Sequence, residues 1–218
     1  MCIKNPVSGK LKIENPNLLD NLGLYRLKAI SDKEGSMLVP KRMFFTKGVG
    51  RAKEKLTAFE AALRHAKIAP YNLVKVSSIY PPNCKIISRD EGIKGLALGA
   101  ILYVVMAENH TNEPNRLLSA AVGLAVPADK SLYGYLSEHH TYGETDEKSG
   151  DFAEDLAATM LASSLGIPFD PDLDYNARKD IFLMSKKVVK TRAVTQSARG
   201  HKSGLWTSVV AAAVFRTD

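Results

Sequence analysis

The chain has 218 residues, 45% hydrophobic and 24% charged, which is the composition of a globular domain and excludes low-complexity and fibrous classes. Its two cysteines, Cys2 and Cys84, cannot build a disulfide scaffold, so a reducing, cytoplasmic setting is expected. The net charge of +7 is split between basic flanks and an acidic middle, residues 108–174 carrying 3 Lys+Arg against 13 Asp+Glu, a pattern that argues against a nucleic-acid face and fits contacts between unlike regions of neighbouring subunits.

Residues 1–38 are a polar, Lys-rich preface with Asn-Pro at 5–6 and 15–16, an extension of uncertain order. Its first residues show no apolar signal core. Val39–Thr46 is expected to be a strand ended by Gly48-Val-Gly50. Apolar residues at 56, 59, 63 and 66 have helical spacing, so Leu56–Lys67 reads as a helix stopped by Pro70. Asn72–Ile79 alternates as a strand, and Pro81-Pro82 stops its ladder.

Gly95–Ala107 is a continuous apolar run typical of a buried strand. Its apolar core, Leu96–Ala107, is shorter than the ~20 residues a membrane span needs, so no membrane association is expected. Leu117–Val126 and Ser131–Glu138 are further strands. Asp151-Phe-Ala-Glu154 resembles a helix N-cap with its third-position glutamate, opening a helix that would bury Phe152, Leu156 and Met160 and end at Gly166 and Pro168. Val188–Gln196 and Leu205–Phe215 complete the strands. Helices and strands mix without strict alternation, which indicates an α+β fold.

Several motifs fail their chemistry. Gly48-Val-Gly50-Arg lacks the third glycine of a dinucleotide loop and the Gly-Lys-Ser/Thr of a phosphate loop. Asp170-Pro-Asp172-Leu-Asp174 has Tyr175 and Ile181 where a calcium loop needs glycine and glutamate. His139 and His140 are neighbours on a strand and point to opposite faces, so no metal site is expected.

The segment Asn72-Leu-Val-Lys-Val-Ser77-Ser78-Ile-Tyr-Pro81-Pro82 is unusual. It stands between Leu56-Thr-Ala-Phe59-Glu60-Ala-Ala-Leu63 and Pro127-Ala-Asp129-Lys130-Ser131-Leu132-Tyr-Gly134-Tyr-Leu-Ser-Glu138. In this order and at these spacings, the three segments resemble the pyruvoyl-dependent arginine decarboxylases, over about residues 39–215.

The resemblance implies a four-layer α-β-β-α sandwich, assembled as homotrimers or hexamers with active sites between subunits. It implies a self-made cofactor. Attack by the Ser78 hydroxyl on the Ser77 carbonyl would convert the peptide link to an ester. Elimination would then release a β chain (1–77) and leave a pyruvoyl group on the α chain (78–218), with no pyridoxal phosphate and no metal. The pyruvoyl ketone would condense with the substrate amine and act as the electron sink for decarboxylation of arginine to agmatine. Asn72 matches the position implicated in processing, Glu138 the proton donor, and Glu60 and Ser77 the substrate-binding set. His139 is the rival donor. The family typically has aspartate where this chain has Glu60, and the added methylene leaves ornithine or lysine as alternative substrates. A non-cleaving oligomeric binding protein is the reading of a different class.

Overall fold

The computed structural model describes residues 38–167 and 188–217, with backbone only at 188–190. The preface through residue 37, Pro168 and the Asp170–Asp174 segment lie outside the described residues. Nine strands and three helices occur among the described residues. In chain order they are β1 (Arg42–Ala52), α1 (Lys55–His65), β2 (Asn72–Lys75), β3 (Ile79–Tyr80), β4 (Lys85–Ile87), α2 (Arg89–Ile93), β5 (Ile101–Thr111), β6 (Leu117–Pro127), β7 (Gly134–Tyr142), α3 (Asp146–Ser164), β8 (Val188–Arg199) and β9 (Trp206–Arg216). The α+β class expected from the sequence is present.

One sheet has the order β2-β5-β9-β1-β4 and the other β3-β7-β6-β8. In the first, β9 pairs antiparallel with β1 and β5, while β2 and β4 are short parallel edges on β5 and β1. The second is antiparallel throughout. Strand alternation sends Met43, Val105, Ala107, Val209, Ala211 and Phe215 of the first sheet against Leu118, Ala120, Val122, Leu124 and Leu136 of the second. The opposite face of the first sheet, including Phe44, Val104 and Val210, packs on Ala62 and Ala66 at the C-terminal end of α1. Ala125 on the outer face of the second sheet packs on Ala157, Ala158, Leu161 and Ala162 of α3. Each fully buried Val or Leu contributes about 1.5–3 kcal/mol relative to exposure.

The sequence expectations change at five places. β1 does not end at Gly48-Val-Gly50 but runs through both glycines. A Cβ at Gly48 would lie 2.1 Å from the Ala62 carbonyl oxygen, and one at Gly50 2.2 Å from that of Ala58. These glycines let α1 approach the sheet closely. Pro70 does not stop α1; the helix closes on Ala66, and Lys67 turns out of it at φ 61°. The expected strand Asn72–Ile79 is two strands, β2 and β3, in different sheets. Strand β5 begins at Ile101, because Gly95 and Gly99 occupy positive-φ turns inside the apolar run.

The fifth change concerns α3. Its N-cap comes six residues early, at Thr145, whose hydroxyl accepts from the Lys148 N–H. Phe152 and Leu156 are exposed and Met160 only partly covered; alanines and Leu161 face the sheet instead. The reason is again close approach: a Cβ at Gly123 of β6 would lie 2.1 Å from the Ala153 carbonyl oxygen. Gly166, at φ 65°, follows the helix C-cap as expected.

Candidate active site

The chain leaves one sheet and enters the other at the two serines. Val76 makes the last bond to the first sheet, its N–H donating to the Val104 carbonyl at 2.9 Å. Ile79 and Tyr80 then pair with Tyr135 and Gly134 of β7. Between them the Ile79 N–H donates to the Ser77 carbonyl at 2.9 Å, closing a three-residue turn centred on Ser78. The Ser78 carbonyl accepts from the Leu136 N–H at 2.8 Å. Pro81 and Pro82 follow, but it is β7 that pins the junction. The Ile79 N–H lies on the carbonyl oxygen where charge would build if Ser77 were attacked.

Glu138 stands two residues beyond Leu136 on β7, so its side chain leaves the same face of the strand. β2 stops at Lys75, opposite Val104. Past that point β5 presents an edge that β2 does not cover, and Glu138 accepts a hydrogen bond there from the Met106 backbone N–H. Glu138 stays exposed along part of its length; the partial burial of its carboxyl raises its proton affinity, and Glu108 pushes the same way. Lys75, the Met106 N–H and His140 oppose them, and the upward direction prevails.

A cavity of about 420 Å³ opens at this edge, lined by Lys55, Lys75, Met106, Ala107, Glu108, Asn109, His110, Glu138, His140 and Tyr142. Lys75 and Glu108 form an ion pair at 3.7 Å. His110 is held by Ser208, Nδ1 to Oγ at 2.8 Å, and meets the Phe59 ring edge-on at 5.7 Å. Burial and the charge of Lys55 lower its proton affinity, with Glu108 opposing. His139 faces the other way, against Phe152 of α3 and 3.3 Å from a Glu144 oxygen. The alternation expected of the His139–His140 pair is observed, and it keeps His139 off the cavity. No three His, Cys, Asp or Glu side chains gather as a metal site among the described residues.

Two of the residues singled out from the sequence are elsewhere in the chain. Asn72 sits at the start of β2, its side-chain amide donating to the Gly99 carbonyl at 2.8 Å. Five residues of extended chain, roughly 16 Å, separate it from Ser77. Glu60 is not among the residues lining the cavity. It faces Arg64 one turn on, which donates from Nε to Oε1 at 3.2 Å and from Nη2 to Oε2.

Sequence reasoning did not find Lys75, Glu108 or His140. Their signals were weak but readable: Glu108 ends the apolar run of β5, and His140 follows Glu138 at the two-residue period of one strand face.

The chain's sequence matches the profile of the pyruvoyl-dependent arginine decarboxylase family over residues 42–218. This chain belongs to that family. A relative named "Probable pyruvoyl-dependent arginine decarboxylase" from Chloroherpeton thalassium is 60% identical over 177 residues, 81% of this chain and 97% of the relative. One of the same name from Chlorobaculum tepidum is likewise 60% identical over 177 residues, with the same coverage. "Pyruvoyl-dependent arginine decarboxylase 2" of Methanosarcina acetivorans is 51% identical over 181 residues, 83% of this chain and 99% of the relative. The family's matched span contains the serine junction, Glu60, Asn72 and Glu138, and begins after the preface.

Proposed function

We propose that this chain is a pyruvoyl-dependent arginine decarboxylase that matures by cleavage between Ser77 and Ser78. The observation that carries the reading is local. The two serines bridge the sheets in a hydrogen-bonded turn, and the strand that pins them carries, two residues on, a carboxylate of raised proton affinity.

Processing uses the chain's own atoms. The Ser78 Oγ attacks the Ser77 carbonyl, and the Ser77–Ser78 C–N bond breaks as the ester forms and the nitrogen takes a proton. The Ile79 N–H steadies the oxygen that gains charge. β-Elimination then breaks the Cβ–Oγ bond, releasing a carboxylate at Ser77 and leaving dehydroalanine at 78. Water converts this to the ketone and ammonia. The products are a β chain of residues 1–77 and an α chain of residues 78–218, with residues 1–38 an extension to the catalytic domain. When formed, the pyruvoyl group supplies a carbonyl for the substrate's amine and a sink for the electrons of the breaking carbon–carbon bond.

The Leu136 N–H fixes the carbonyl of residue 78. Glu138, protonated, delivers the proton that replaces carbon dioxide on the substrate's α-carbon. Glu60 takes the guanidinium by paired charge-assisted hydrogen bonds, and Ser77 completes the substrate contacts. Asn72 serves processing.

The fold is a four-layer α-β-β-α sandwich, supported by the three apolar clusters that join α1, two sheets and α3. The working form is a homotrimer or hexamer in the cytoplasm with sites between subunits, a reading that accommodates the separation of Asn72 from Ser77.

Intact mass and a denaturing gel test the reading together with carbon dioxide release from arginine, ornithine and lysine. Two fragments, the larger beginning with a residue 78 that lacks its amine, and release from arginine above the other two, are expected. A Ser78→Ala variant that still decarboxylates would overturn it. The extra methylene of Glu60 and its partner Arg64 favour a second reading, a shorter basic amino acid; faster release from ornithine or lysine would select it.

A further inference from the structure

The cavity holds two charged side chains to which the reaction so far gives no task. Lys75 and Glu108 meet at 3.7 Å, each partly open to solvent, beside the Met106 N–H that Glu138 engages. Glu108 lies two residues past Met106 on β5, and Lys75 sits opposite Val104, two residues before it. Strand spacing puts the backbone of both residues within roughly 7–8 Å of Met106, and both side chains line the same cavity as Glu138.

We propose that the Lys75–Glu108 ion pair is a charge balance for Glu138, a cation and an anion held together as positioning residues that fix how readily this carboxyl parts with its proton. The inference rests on the reading of Glu138 as the proton donor and adds what tunes it. An isolated anion at Glu108 would hold the proton on Glu138 too tightly to transfer at speed. An isolated cation at Lys75 would strip it off before the substrate's carbanion needs it. Paired, they offset each other, so burial sets the raised affinity and the pair trims it. The other titratable groups facing the cavity are Lys55 from the first turn of α1, His110 on β5, and His140 and Tyr142 on β7. The balance is therefore a property of charges from four elements, with Lys75 and Glu108 the two joined to each other.

The pair makes an antisymmetric prediction that a merely structural role would not. Turnover by a protonated donor falls as pH rises through the donor's titration. Lys75→Met removes the cation and moves that alkaline limb of kcat up by about 0.5–1 pH unit; Glu108→Gln removes the anion and moves it down by a similar amount. The double variant returns near the parent. Should either variant fail to mature, the same carboxyl is read in uncleaved Ser78→Ala protein by a ¹³C-glutamate NMR titration. There the Glu138 signal is the one that vanishes in Glu138→Gln, and the same opposite displacements are expected. Displacements of one sign, or none, overturn the charge balance while leaving the donor reading intact. Full turnover by Glu138→Gln instead overturns the donor reading, and the NMR titration still decides the balance on its own.

Discussion

Glu138 is placed where stability and chemistry disagree. Its proton affinity in the folded chain is raised, chiefly by burial, so the folded state favours the neutral acid. The sign of the linkage follows. At low pH, where folded and unfolded forms are both protonated, this site contributes its full share of stability. As pH rises through the folded titration, the unfolded chain releases its proton more easily, and that share is lost. Glutamine, which cannot ionise, escapes the loss. In an uncleaved Ser78→Ala background, adding Glu138→Gln is therefore expected to stabilise the protein against urea at pH 8, and to make no difference in acid below the ordinary glutamate range. Paired denaturation curves at the two pH values check this. In the maturing enzyme the same Glu138→Gln change is expected to leave cleavage intact and to lower kcat by at least about 100-fold, the exchange of stability for activity that the proposed donor role implies. The sequence singles out Ser78 and Glu138 because they lie in contiguous motifs, and the structure brings both to β7. Lys75 and Glu108 were not legible there, because their meeting depends on β2 ending early beside β5, a property of pairing that no single segment carries.

At the scale of elements, glycine shows what a linear reading misses. Gly48 and Gly50 read as a turn because glycine commonly marks one. In the structure both lie inside β1, opposite Val210 and Ser208 of β9, and face α1. A side chain there would meet helix backbone, which cannot step aside as a flexible side chain can. Gly50→Ala is accordingly expected to cost about 1–3 kcal/mol through overpacking, seen as a lower urea midpoint at unchanged slope. A midpoint within error of the parent would show that α1 is free to lift from the sheet. The helix α3 failed in the sequence for a related reason. Its large apolar residues suggested one face, yet packing against Gly123 selects the stripe of alanines, and Phe152 stays outside. Period-two alternation likewise announced a strand at residues 72–79 but holds no information on which sheet receives it. The sequence marks Ser77-Ser78 as the point of proposed cleavage, but the change of sheet at that point lay inside one expected strand.

At the scale of the whole molecule, one chain brings together only part of the residue set. The serine junction and Glu138 converge through β7, whereas Asn72 is held at the far end of β2 and Glu60 lies on α1 against Arg64. β2 is an edge strand, and exposed apolar side chains surround its start: Leu98 at 83%, Ile101 at 59% and Val74 at 41%. An uncovered apolar edge of this kind fits the subunit contact proposed above. If Glu60 serves a site whose Glu138 belongs to its neighbour, the two changes can be separated. Glu60→Gln and Glu138→Gln proteins, each nearly inactive alone, are expected to recover roughly a quarter of parental activity when co-expressed in equal amounts. In a cyclic assembly mixed at random, that fraction of sites draws both intact residues, one from each side. Light scattering on the same sample reads the trimer or hexamer directly. Mixed assemblies that form but stay inactive would return both carboxylates to one chain, and α1 would then have to bend toward the cavity to deliver Glu60.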